Sequence, residues 1–167
     1  LAARGLPATP SGALTGIAAG AVPEGGAVVS ASGMKDIEYL GDLRLRVGAG
    51  VTLDEIEQYL ARQPLPLFYP PDPTETTASI GGTLATDASG SDSYLYGSTR
   101  HWVEAVEMVL PAGERLSLSR GDRDFREGSC DVPGAGPVRL PETTPPPLPK
   151  NAAGYWIRTG MDLVDLL

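Results

Sequence analysis

The stretch Ser79–Gly90, SIGGTLATDASG, carries only two large aliphatic side chains, Ile80 and Leu84, in twelve residues. A helix needing structure alone does not begin with two adjacent glycines, because each costs about 1 kcal/mol relative to alanine. Gly81 and Gly82 therefore signal close approach. Either something large and flat lies against the backbone, or a neighbouring element packs hard on it. A second small-residue run, Pro10–Gly16 (PSGALTG), raises the same question. Gly, Ser, Ala and Thr leave backbone N–H groups unobstructed, free to converge on an anion. The run has neither the lysine of a P-loop nor the spacing of a dinucleotide turn, so by itself it also reads as an ordinary turn.

Composition extends this picture. Glycine (21) and proline (16) make up more than a fifth of the 167 residues, against about 12% in average usage. Turns and tight backbone contacts must dominate. The net charge of −8 and the lack of a basic stripe argue against a nucleic-acid binder. No apolar run approaches the roughly 18 residues of a membrane helix, and the opening LAARGLPATPSG lacks a signal-peptide pattern. One cysteine, Cys130, and one histidine, His101, exclude an internal disulfide and argue against structural zinc. No metal site is expected, and a reducing, cytoplasmic setting is permitted.

Along the chain, residues 5–26 show no helical or strand period and read as an ordered glycine-rich loop. Gly26–Ser32 and Arg44–Val47 read as strands, the latter alternating Arg with Leu or Val. Thr52 followed by Glu55 is a capping-box signature. It predicts a helix to about Arg62 with Leu53, Ile56 and Leu60 on one face, ended by Pro64 and Pro66. Leu67–Pro73 must be extended. Val103–Pro111 turns through Pro111–Glu114 into Arg115–Leu118, a hairpin. Residues 119–149, rich in proline and glycine, read as a surface excursion or a mobile loop. Its Pro145–Pro149 end reads as a stiff linker, with a polyproline ligand for a partner as the alternative. A last helix begins near Thr159, with Met161, Val164 and Leu167 as its apolar face.

The side chains offer little chemistry. Asp54 and Glu55 suit a helix's first turn, and Asp72 between prolines suits a turn. His101 has no positioned acid partner in the sequence. Ser32–Lys35 matches SxxK without its companion motifs. Arg120–Asp122 is a chance tripeptide, and Cys130 an incidental thiol. The arginines, among them Arg100, Arg120, Arg139 and Arg158, are scattered and form no carboxylate clamp. No catalytic residue is expected in this chain.

Taken in order, these stretches resemble the FAD-binding domain of the vanillyl-alcohol oxidase and p-cresol methylhydroxylase superfamily. The branch is that of FAD-linked oxidases such as the glycolate oxidase flavin subunit and D-lactate dehydrogenases. The likeness runs from about Gly5 to Leu118 and from Lys150 to Leu167, and is most specific over Pro70–Glu114. It implies an α+β, two-lobed FAD-binding domain of the p-cresol methylhydroxylase type. An incomplete first lobe would span 1–42. The second, a largely antiparallel sheet with flanking helices, would span 43–167. The chain would then be part of a larger flavoenzyme.

The resemblance also implies cofactor-binding positions. Pro10, Ser11, Gly12, Ala13, Leu14, Thr15 and Gly16 fall on the pyrophosphate loop. Pro71 and Asp72 fall in the Pro-Pro-Asp-Pro segment. Ser79, Gly81, Gly82, Ala85, Ser89 and Gly90 fall on segments lying along the flavin, and Tyr96 and Gly97 on the Tyr-Gly step after them. The pattern departs from the family at Leu14 and Ala19, where glycine is usual. Neither flavin-facing segment holds a histidine or cysteine, so the FAD would be non-covalent. The implied activity is oxidation of a 2-hydroxy acid by hydride transfer to flavin. An iron–sulfur or other electron-transfer subunit is an implied partner. A sugar or aldonolactone oxidase of the same superfamily and a non-catalytic interaction module with a degenerate flavin site are the alternatives.

Overall fold

The computed structural model describes residues 1–71, 74–142, 155–158 and 160–166. The chain divides into two compact units, Ala3–Thr99 with Leu1, and Arg100–Leu167 with Ala2.

The first unit begins with β1 (Ala8–Ser11), which runs parallel to β2 (Ala27–Ser30) and pairs Ala8 with Ala27 through Ser11 with Ser30. β1 corrects the expectation of a loop throughout 5–26. Its sequence, Ala-Thr-Pro-Ser, carries no apolar alternation, and the strand exists because its backbone pairs with β2. β3 (Ile37–Gly41) and β4 (Arg44–Val47) form an antiparallel hairpin. β4 has the expected bounds, whereas β3 was not legible. The two-residue loop between them holds Asp42 at φ 49° and Leu43 at φ 61°. A type I′ turn requires positive φ at both places, which Asn-Gly would have announced and Asp-Leu does not.

α1 (Leu53–Leu60) starts at a complete capping box. The Thr52 hydroxyl accepts the Glu55 N–H at 3.3 Å, and the Glu55 carboxylate accepts the Thr52 N–H at 2.7 Å. The Lys35 ammonium, 2.6 Å away, and the Thr52 N–H hold the Glu55 carboxyl below its ordinary value of 4.5. Leu53, Ile56 and Leu60 are buried as their spacing predicts, and with Val51 and Ala78 they form this unit's core. Ile37, Leu45, Val47 and Tyr69 pack on it. Two short helices follow, α2 (Ile80–Ala85) and α3 (Ser93–Tyr96).

The second unit is built on β5 (Ala105–Val109) and β6 (Arg115–Ser119), an antiparallel hairpin closed by Gly113 at φ 94°. Alternation places Leu116 and Leu118 inward, both under 5% exposed. The expected excursion at 119–149 is replaced in its middle by a second antiparallel hairpin, β7 (Ser129–Val132) and β8 (Gly136–Arg139). Phe125, Cys130 and Val132 join the core with Met161, Leu163 and Val164. The linker reading of Pro145–Pro149 falls outside the described residues.

The final helix is shorter and tighter than expected, a single 3-10 stretch over Leu163–Leu166. Asp162 starts it. Its carboxylate accepts the N–H of Val164 at 2.8 Å and of Gly121 at 2.6 Å, tying the Arg120–Asp122 turn to the chain's end. Among the described residues the strands form four two-stranded sheets, three antiparallel and one parallel. No helix among them is long and apolar enough to cross a membrane.

Candidate functional site

The two small-residue runs meet in the first unit. The Ser79 hydroxyl, 3% exposed, accepts the Ala13 N–H at 3.2 Å, across 66 residues of sequence. A Cβ on Gly12 would collide with that same hydroxyl. Gly12 is therefore glycine because Ser79 sits against it, a relation that neither run discloses alone. β1 delivers the loop to this point: Ser11 is buried, and its carbonyl accepts the Ala31 N–H at 2.8 Å. Beyond it, Ala13, Leu14, Thr15 and Gly16 are exposed. Leu14 adopts φ 62° and Ala19 φ 59°. These are the two positions where the resembled family has glycine, and both hold the left-handed backbone that glycine adopts without penalty.

Ser79 is fixed from its other side. Thr52 and Ser79 form an antiparallel bridge. The Leu53 N–H donates to Ala78 O at 3.0 Å and the Ile80 N–H to Val51 O at 2.8 Å. The start of α2 is thereby laced to the capped start of α1. The two glycines of α2 then part company. A Cβ on Gly81 would sit 2.8 Å from Ala49 Cβ and 2.9 Å from Ala49 O, and the Gly81 N–H donates to that carbonyl at 3.0 Å. Gly81 thus answers the alternative raised by the sequence, hard packing on a neighbour. Gly82 has no such partner: its Cβ would meet only the Ser79 hydroxyl, at 3.2 Å. The turn Gly48–Gly50 that receives Gly81 was missed by sequence reading. A Cβ on Gly50 would run into the Ala31 carbonyl, and one on Gly48 would sit 2.5 Å from Met34 O.

The remaining candidates extend from this junction. Ala85 is exposed and Ser89 half-buried, while Gly90 is buried and donates its N–H to Ser93 Oγ at 2.7 Å. The same hydroxyl donates to Pro71 O at 3.3 Å, and the Pro71 ring is fully buried. Ser93, a clamp between the two segments, carried no sequence signal. Asp72 lies outside the described residues. Tyr96 meets Phe68 edge-on at 5.7 Å between centroids, and Gly97 follows at φ 82°. Thr99 pins residue 88, its N–H and hydroxyl donating to Ala88 O at 3.1 and 2.8 Å.

Tyr69 is the one buried anomaly among the described residues. Its hydroxyl is shut in beside Thr83 and Thr99 and makes no well-formed hydrogen bond there. Both threonine hydroxyls already donate to backbone carbonyls, at 2.9 and 2.8 Å. Burial pushes the Tyr69 phenol above its ordinary value of 10.0, with the threonine hydroxyls pulling the other way. A cavity of 290 Å³ lined by Leu60, Leu67, Phe68 and Tyr69 touches neither small-residue run.

Elsewhere, the Ser32–Lys35 match dissolves: Lys35 pairs with Glu55, and Ser32 joins Ser30 in a local turn. His101 lies in the second unit with its ring edge-on to Trp156. Cys130 is a buried core residue. Among the described residues no cluster of His, Cys, Asp or Glu is suited to a metal.

The chain is similar to known proteins. A family model described as FAD binding domain matches residues 1–119. D-lactate dehydrogenase of Anaerostipes hadrus is 42% identical over 118 residues, covering 68% of this chain and 24% of its own length. D-2-hydroxyglutarate dehydrogenase of Xanthomonas citri pv. viticola is 33% identical over 165 residues, covering 89% of this chain and 34% of its own. The chain thus spans about a quarter to about a third of the length of these relatives. The crystal structure of 6-hydroxy-D-nicotine oxidase from Arthrobacter nicotinovorans superposes with a TM-score of 0.61 at 18% identity, over 70% of this chain and 25% of that one. That likeness carries the fold, the p-cresol methylhydroxylase type of FAD-binding architecture. With its small-residue loop and glycine-led helix joined at Ser79, and well over half its length matched, the chain belongs to the FAD binding domain family of FAD-linked oxidases, and its cofactor is FAD.

Proposed function

We propose that this chain is the cofactor-holding part of a flavin-dependent oxidoreductase that oxidises a 2-hydroxy acid. One observation carries the reading: the Ser79 hydroxyl binds the Ala13 amide while Leu14 and Ala19 keep left-handed backbone. The residues present fit the group. Beyond the Ala13 amide taken by Ser79, the exposed stretch Leu14–Gly16 offers backbone dipoles to the paired phosphates without a basic side chain. Gly82 leaves space that a Cβ would fill. The names of the relatives, D-lactate and D-2-hydroxyglutarate dehydrogenase, support the substrate class.

In this reading Pro10–Gly16, Ser79, Gly82, Ala85, Ser89, Gly90, Tyr96 and Gly97 contact FAD. Gly81 and Pro71 hold those segments in place by packing. Lobes at 1–42 and 43–167 are part of the same proposal. Bound FAD supplies the hydride acceptor for oxidation at the alcohol carbon. The chain's own residues bind and orient it, and with no histidine or cysteine in either run they do so without a covalent bond. The electron acceptor in this proposal is an iron–sulfur or other electron-transfer subunit. A cytoplasmic location, at most peripheral to a membrane complex, goes with it.

The test is a titration of the chain with FAD followed by visible absorbance, repeated on any longer form of the protein. Saturable binding supports cofactor holding, and bleaching of the flavin bands by D-lactate or D-2-hydroxyglutarate but not by aldonolactones supports the substrate class. Failure of every form to bind FAD overturns the proposal.

A further inference from the structure

The cavity of 290 Å³ in the first unit opens between the last turn of α1 and the extended stretch 67–70, with Asp92 completing its lining. Most of that lining is carbon. Leu60 is 5% exposed and belongs to the core, and Leu67 and Tyr69 pack on the same core. Phe68 is different: it is 62% exposed, an aromatic ring that the core leaves uncovered. Its edge-on contact with Tyr96, at 5.7 Å between centroids, gives the ring a neighbour to lean on.

The charged residues of the lining are Glu57 and Asp92, both exposed, and no lysine or arginine is among the lining residues. The ion pairs of the first unit engage Glu38, Asp42 and Glu55. Among the described residues neither Glu57 nor Asp92 has such a partner. Asp92 stands at the start of α3 without capping it through its side chain.

This combination selects a class of ligand. Two carboxylates are too few for calcium, which takes six to eight oxygens, and among the described residues no group of three acids, histidines or cysteines could hold a metal. An anion would be repelled by both carboxylates. A neutral apolar molecule would use the leucines and the rings and leave the carboxylates idle. An ammonium on a short hydrocarbon body uses the whole lining. Its body lies on carbon, and its head is drawn by the carboxylates and by the aromatic faces. The volume sits at the lower end of ligand clefts, about 300–1,000 Å³, which suits a free small molecule rather than a helix or strand of a partner. We propose that this cavity binds a small organic cation, an alkyl- or arylalkylammonium. None of its lining residues is among those assigned to FAD, and the site does not depend on that reading.

The experiment is isothermal titration calorimetry of the full chain, at neutral pH and constant ionic strength. The probes are 2-phenylethylammonium, the neutral 2-phenylethanol and the anion phenylacetate. Saturable binding of the ammonium is expected, at least about tenfold tighter than the alcohol, with no binding of phenylacetate. Glu57→Gln with Asp92→Asn should weaken the ammonium at least about fivefold and leave the alcohol unchanged. Phe68→Ala should weaken both. All three positions are exposed, so the variants keep the core, and circular dichroism checks that they do. Glu24→Gln removes an exposed acid outside the cavity and should change nothing, which separates the site from the general attraction of a chain of net charge −8. Equal binding of ammonium and alcohol, or an equal loss with Glu24→Gln, overturns the cation assignment. No saturable heat overturns the site. A dimer in sedimentation that Phe68→Ala disperses and the ammonium does not would assign the cavity to a second copy and overturn the proposal as well.

Discussion

Replacing each glycine of α2 by alanine separates the two reasons a helix can begin with Gly81-Gly82. Alanine gains about 1 kcal/mol of helix propensity at either position. At Gly82 the new methyl meets only the Ser79 hydroxyl, at 3.2 Å, which gives way by a few tenths of an ångström. Gly82→Ala should therefore be as stable as the parent or more so, by up to about 1 kcal/mol. At Gly81 the methyl meets Ala49 Cβ at 2.8 Å and the Ala49 carbonyl at 2.9 Å. That carbonyl is also the acceptor of the Gly81 N–H, so moving away stretches the bond that joins α2 to the Gly48–Gly50 turn. Overpacking of this kind costs about 1–3 kcal/mol, which cancels or exceeds the propensity gain. Gly81→Ala should be destabilised by up to about 2 kcal/mol.

Urea unfolding followed by circular dichroism measures the order of stabilities, and FAD titration of the same proteins measures the second consequence. Gly82→Ala, though no less stable, should bind FAD about tenfold more weakly, a loss of about 1.4 kcal/mol, because the methyl occupies space the cofactor reading needs. A Gly81→Ala protein as stable as Gly82→Ala would refute the packing argument. FAD binding unchanged in Gly82→Ala would refute the assignment of that open space to the cofactor.

Other expectations are narrower. Leu14→Gly removes a left-handed Cβ worth about 1 kcal/mol and loses little burial, since Leu14 is 71% exposed. Glycine's greater unfolded-state freedom takes back about 0.4–1 kcal/mol, so stability should hold or rise slightly while FAD binding tightens; a loss above about 1 kcal/mol would contradict the strain argument. Thr52→Ala removes the hydroxyl half of the capping box and should cost about 1 kcal/mol, read from the urea midpoint. Because Lys35 and the Thr52 N–H lower the Glu55 carboxyl, its stabilisation is complete well above pH 4.5 and fades as pH falls through the lowered folded value. Glu55→Gln should flatten that acid limb. Tyr69→Phe removes a buried hydroxyl lacking a well-formed hydrogen bond and should be neutral to stabilising by about 1 kcal/mol. The wild-type phenol is raised by burial, so its contribution is present below about pH 10 and lost as pH rises through the folded value. Phenylalanine should abolish that alkaline loss, and an unchanged alkaline limb would show that Tyr69 is not its source.

What could be read in advance was what is encoded locally. The capping box, the 53–56–60 face and the β5–β6 hairpin each depend on residues a few positions apart, and all three formed as spaced. β1 and β3 were illegible because their existence rests on partners: β1 on β2, and β3 on a type I′ turn written as Asp-Leu. The hairpin within 119–149 was hidden by its prolines and glycines, two of which, Gly134 and Gly136, supply positive φ at and beside its turn. The site followed the same division. Its two small-residue runs were visible, but the atom that joins them, Ser79 Oγ, acts across 66 residues and leaves no periodic trace.

That joining atom also explains how the loop tolerates residues that glycine would normally replace. The left-handed turn at Leu14 follows directly on an amide bound by Ser79, and Gly12 before it has no room for a Cβ beside the same hydroxyl. The path of the loop is thus set from outside, by a serine anchored through Thr52 to a capped helix. Once the path is set, the residue at position 14 decides only how much strain the turn carries. The leucine side chain escapes to solvent, where it adds no core contact and takes away no backbone amide. Leucine at 14 and alanine at 19 therefore alter the energy of the left-handed backbone without redirecting the loop that Ser79 holds.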